Sequence, residues 1–121
     1  MRRMIIQNDY INDEEVMVEK VASTIVINDY DVHRIGNLVF CNISFYFTAA
    51  TAIPAASAWF KISGIPEAQI EEMHCIAIGR NHNSNLYASY DVNGVYSFAS
   101  AVAYTPQVSE KMTCQIIYGV K

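Results

Sequence analysis

Three histidines (His33, His74, His82), three cysteines (Cys41, Cys75, Cys114) and a small set of carboxylates are the groups in this 121-residue chain with chemistry to offer. Zinc sites usually contain a local pair such as C-x-x-C or H-x-x-x-H, and neither spacing occurs. His74 and Cys75 are adjacent, so on a strand they point to opposite faces and cannot serve one ion. Nucleophilic catalysis needs a serine or cysteine beside a histidine and an orienting acid, and no G-x-S-x-G turn presents such a set. The cysteines fall inside apolar alternating segments, where burial suppresses the thiolate. They read as three small buried hydrophobes, and their spacing matches no disulfide framework. A carboxylate pair for glycoside hydrolysis would have to come from Glu67, Glu71, Glu72 and Asp91, of which the first three cluster in what reads as a solvated turn. The glycines are dispersed and form no phosphate cradle. The residues therefore predict no enzyme, no metal and no cofactor.

Sugar recognition fits the residue types better. Aromatic faces cover the C–H surface of a sugar, while amides and hydroxyls meet its hydroxyl groups. The polar stretch around Asn81, His82, Asn83 and Asn85, followed by Tyr87, has this chemistry, with Tyr90 and Tyr96 near in sequence. These five positions form the candidate saccharide-binding loop, although Asn, His and Ser are also ordinary turn residues. Trp59 lies in a charge-poor region and reads as a buried core or interface residue rather than a sugar platform.

The elements that must hold such a loop are marked by missing charge. Between Asn37 and Ile65 the only charged side chain is Lys61, and between Ser84 and Tyr104 it is Asp91. The chain is 52% hydrophobic and only 17% charged, against roughly 25% in ordinary domains. Strands of this kind predict a sheet covered on one side by its own core and on the other by another subunit. A net charge of −4 with scattered lysines and arginines argues against nucleic acid. The start, Met1 to Ile6, lacks the long apolar stretch of a signal peptide, and neither charge-poor run is continuous enough to insert in a membrane. Synthesis in a cytoplasm without a signal peptide is the expectation.

Residues 1–20 hold five of the twelve acidic side chains and read as an N-terminal leader or arm, with a short helix or an extended segment over Asn12 to Val21. Residues 21–121 read as one β-domain. Thr24 to Ile35 and Leu38 to Thr48 form a hairpin through Gly36-Asn37. In the second strand Val39, Cys41, Ile43, Phe45 and Phe47 share one face, and Phe40, Asn42, Ser44, Tyr46 and Thr48 the other. Ala49 to Ser57 is a loop. Ala58 to Ser63 and His74 to Gly79 are strands, with one possible helical turn over Glu67 to Met73. Leu86 to Val92 and Val95 to Tyr104 pair through Asn93-Gly94, a favoured type I′ turn, and Met112 to Val120 is the last strand. Seven or eight strands without a long helix predict an all-β, antiparallel, jelly-roll-like β-sandwich.

The order Val32-His-Arg-Ile-Gly-Asn-Leu-Val-Phe-Cys-Asn-Ile-Ser, an Ala-rich stretch, then Ile62-Ser-Gly-Ile-Pro resembles the C-terminal receptor-binding or tip domains of bacteriophage and prophage tail fibre and baseplate proteins. Asn85-Leu-Tyr-Ala-Ser, Asp91-Val-Asn-Gly and Thr113-Cys-Gln-Ile-Ile-Tyr are also similar, so the likeness covers roughly residues 24–120. It implies a jelly-roll-like homotrimer at a fibre tip or baseplate, a virion component contacting other tail or baseplate proteins and a host-surface saccharide. It carries over no residue roles. A bacterial jelly-roll protein enclosing a small molecule is the alternative, with the charge-poor faces lining a cavity instead of a subunit contact.

Overall fold

The computed structural model describes residues 16–69, 73–80, 82–91 and 93–121. They form eight strands: β1 (Met17–Lys20), β2 (Ile25–Ile35), β3 (Leu38–Phe47), β4 (Ala58–Ser63), β5 (Met73–Gly79), β6 (Asn83–Tyr90), β7 (Tyr96–Ser100) and β8 (Lys111–Gly119). All pairings are antiparallel, as expected. The strands make a single sheet in the order β1-β4-β7-β6-β5-β8-β3-β2. Strands β5, β6 and β7 form a meander, and β4 returns to lie beside β7 in a Greek key. The sheet rolls up until β1 comes back to β2, where the Tyr30 hydroxyl donates to the Val16 carbonyl at 3.3 Å.

Period-two patterning builds the interior. Along β3 every second residue from Val39 to Phe47 is buried, and β5 and β8 alternate in the same way. Two bulges break the period. Between Ile27 and Asp29 the register of β2 against β3 shifts, so the inward set changes from Ile25 to Val32. Between Ala58 and Phe60 the β4 register shifts too, and the adjacent side chains of Trp59 and Phe60 are both fully buried. Trp59 then sits edge-on to Phe45 and Phe47, with Tyr104 tilted against it at 5.1 Å. Its indole N–H meets no hydrogen-bond acceptor among the described residues. Each such aromatic contributes roughly 1.5–3 kcal/mol by leaving water.

Several expectations are corrected. The last four residues of the expected leader are strand β1, paired residue for residue with β4 from Met17 opposite Ser63 to Lys20 opposite Phe60. Residues 1–15 lie outside the described residues, as do Glu71 and Glu72. Glu67 to Gln69 hold no helical turn; Ala68 instead bridges Val120. Gly36 does take the left-handed conformation, with φ 59°, in the two-residue turn joining Ile35 to Leu38. The second hairpin does not use a two-residue Asn-Gly turn. Strands β6 and β7 part after the Tyr90–Tyr96 pair, and the Asp91 carboxylate accepts N–H bonds from Asn93 (2.7 Å) and Val95 (3.0 Å). That side chain organises a longer loop with Gly94 at positive φ.

Candidate functional site

Alternation that fills the interior also decides what faces outward. On adjacent strands β3, β8, β5 and β6 the outward positions are Phe40, Asn42 and Ser44; Thr113, Gln115 and Ile117; His74, Ile76 and Ile78; Asn83, Asn85 and Tyr87. These twelve positions of the four-strand strip carry no Asp, Glu, Lys or Arg; Lys111, at the start of β8 on the same face, bounds the strip at one end. Ile76, Ile78 and Ile117 are 48%, 54% and 52% exposed. A row of amides crosses it: Gln115 Nε2 donates to Asn42 Oδ1 at 3.2 Å, and Asn42 Nδ2 donates to Asp31 Oδ1 at 3.0 Å. Beside that row lies a depression of about 520 Å³ whose lining includes Ile76, Ile78, Thr113 and Gln115.

Three of the five candidate saccharide positions join this strip. Asn83 and Asn85 are exposed and Tyr87 is half-buried, spaced two apart along β6. They belong to a strand and not to a loop, because the β5–β6 turn closes early, with the Gly79 N–H donating to the His82 carbonyl at 2.8 Å. Asn81 lies outside the described residues. His82 is drawn away from the strip: its Nδ1 faces Glu110 Oε2 at 3.5 Å. Tyr96 is interior, with its hydroxyl accepting from the Ala68 N–H at 2.7 Å, whereas Tyr90 stays partly exposed against it.

His74 is exposed and Cys75 buried, on opposite faces of β5. All three cysteines are buried free thiols on neighbouring strands β3, β8 and β5. Burial, with the nearby charges of Asp31 and Cys75, pushes the Cys41 thiol up to about 12. An S–H bond toward Cys75, reinforced by burial, pushes the Cys114 thiol well above its usual range. Glu67 pairs with Lys121 at 3.2 Å, and Asp91 is spent on its own loop.

Sequence reasoning missed the Glu110 brace. The Glu110 side chain, only 7% exposed, accepts from the Tyr104 hydroxyl at 2.7 Å through Oε2 and from the Gln107 N–H at 2.9 Å through Oε1. Burial, then the bond to Glu110 and its charge, raises the Tyr104 phenol well above its usual range. A Cβ at Gly79 would stand 3.1 Å from Glu110 Oε2 and 3.1 Å from the His82 carbonyl, so only glycine leaves the carboxylate its space. That glycine, at the end of β5 beside Arg80 and without a positive φ to demand it, was the one available signal.

Compared with known protein families, with curated proteins and with solved structures, the chain matched none. The reading of its function therefore rests on the strip, the brace and the fold that holds them.

Proposed function

We propose that the chain is a non-catalytic, oligomeric binding module: a trimeric phage or prophage tail fibre tip or baseplate component that contacts a host-surface saccharide. One observation carries the reading. Away from Lys111 at one end, the outward face of β6, β5, β8 and β3 is free of formal charge and displays three half-exposed isoleucines, a composition typical of a buried subunit contact and costly to leave facing water. Each copy contributes the same strip, so a closed ring of subunits covers all of it. Strand β6 is at the strip's margin. A saccharide reaching Asn83, Asn85 and Tyr87 then binds beside the subunit boundary, and three equivalent sites act together through avidity.

The test is solution mass by light scattering coupled to size exclusion, on the full chain and on Ile76→Lys and Ile117→Lys. The reading expects three times 13.6 kDa for the natural chain and monomers for both variants, with their strand content intact. Because both isoleucines point outward, the lysines cost a monomer little, about 0.5 kcal/mol or less. A natural chain that is monomeric at micromolar concentration would falsify the oligomer reading.

A further inference from the structure

We propose that the end of the barrel formed by the β5–β6 turn and the β7–β8 loop is a binding site for an oxyanion, either the carboxylate of an acidic saccharide or a phosphate group. A depression of about 460 Å³ lies there, lined by Arg80, Gln107, Val108, Ser109, Glu110 and Lys111. It is large enough for one or two sugar rings.

The lining is rich in donors and short of free negative charge. Arg80 and Lys111 are exposed, and among the described residues neither is in an ion pair; the pairs found are Lys61–Glu19, His82–Glu110 and Lys121–Glu67. Glu110 does not neutralise them from within. Its two oxygens are taken by the Tyr104 hydroxyl and the Gln107 N–H, its side chain is 7% exposed, and His82 Nδ1 faces it from the other strand. The carboxylate keeps its charge but offers a ligand little surface, and the two exposed cations outnumber it. Arginine offers a planar fork that matches a carboxylate or phosphate, and lysine adds a mobile point charge.

The loop is held open in a conformation that side chains seldom adopt. Ser109 has φ 65°, in the left-handed region where a serine is strained. It is fixed there by its N–H to the Phe47 carbonyl at 2.8 Å and by the Glu110 N–H to the Gln107 carbonyl at 3.1 Å. No hydrogen bond among the described residues uses the Ser109 hydroxyl or the Gln107 side-chain amide. Both are therefore available to a ligand held by Arg80 and Lys111.

This site lies at the loop end and not on the uncharged strip, so it stands or falls apart from the oligomer reading, which is decided by mass. The test is calorimetric titration of the full chain with trigalacturonate, with inorganic phosphate and with neutral maltotriose, in about 20 mM salt, where screening is weak. At least one anion is expected to bind and maltotriose to give no heat. The double variant Arg80→Gln, Lys111→Gln is expected to weaken that binding about tenfold or more, while Lys121→Gln, changing a cation paired with Glu67 elsewhere, leaves it unchanged. Binding of trigalacturonate alone assigns an acidic saccharide, and binding of phosphate alone assigns a phosphate group. No heat with either anion, or equal binding by the double variant with its fold intact, overturns the proposal.

Discussion

Removing one oxygen atom from Tyr104 tests whether the buried carboxylate of Glu110 is held as described. In Tyr104→Phe the ring stays in place against Trp59 at 5.1 Å and Phe47 at 5.9 Å, so the packing is preserved and only the donor to Glu110 Oε2 is lost. A hydrogen bond to a charged group contributes about 1.5–3 kcal/mol, and the remaining carboxylate, 7% exposed, has little water to turn to. For a chain of this length 1 kcal/mol corresponds to roughly 4 °C. The variant should therefore melt about 6–12 °C lower by circular dichroism or calorimetry. In a Glu110→Gln background the same change should cost only about 1 kcal/mol, because the acceptor is neutral. The cycle formed by the four proteins should then show a coupling of about 0.5–2 kcal/mol. A second readout follows the phenol, which burial first and then the bond to Glu110 hold protonated. The Tyr104 phenol is raised in the folded protein, so its stabilising effect is complete below its unfolded value near 10 and is lost as pH rises beyond it. Above pH 10 the natural chain should lose stability more steeply than Tyr104→Phe. A melting point within about 2 °C of the natural chain, or no coupling in the cycle, would refute the brace.

The Cys41 thiol, moved from 9.0 to about 12, stays protonated in the fold while the unfolded chain releases its proton. Stability should fall from pH 9 towards 12 by about 1 kcal/mol per pH unit from this group, and urea titrations of Cys41→Ala should show the shallower slope. Gly79→Ala should cost about 1–3 kcal/mol in the same assay, since two of the three atoms its Cβ meets are backbone carbonyl oxygens and cannot swing aside. Unchanged stability there would mean that the Glu110 carboxylate is not fixed. Asp91→Ala should lose about 1 kcal/mol and raise amide exchange at Asn93 and Val95, whose N–H groups it leaves without their acceptor.

What could be read from the chain and what could not divide along the reach of each interaction. The alternation from Val39 to Phe47 and the Gly36-Asn37 turn are local, and both are found where the residue pattern put them. Bulges are less legible, because the extra residue at Asn28 or Trp59 is defined by a partner strand and reverses the inward set without any change in composition. Asn93-Gly94 looked like a complete turn, yet the Asp91 side chain claimed the backbone first. The polar run from Asn83 to Asn85 read as a loop tip because its residues are all amide or hydroxyl bearing, although it alternates in burial with the strand that follows, exposed Asn83 and Asn85 flanking buried Ser84. Assembly of Glu110, Tyr104, His82 and Gly79 needed knowledge that β5 lies beside β8, a neighbour relation that no local pattern encodes.

The join between β1 and β2 gives the barrel a line of weakness with its own consequences. Strand β1 has four residues and β2 eleven, and among the described residues a tyrosine hydroxyl reaching one carbonyl is the hydrogen bond across the gap. Of all the staves this one is the least expensive to lift, and lifting it bares the backbone of β4 beside the aromatic interior. An exposed strand edge accepts whichever matching strand arrives first, and in a crowded assembly that strand can come from a neighbouring copy. The same four residues that close one molecule upon itself are thus the ones by which two molecules would trade staves and become tied together.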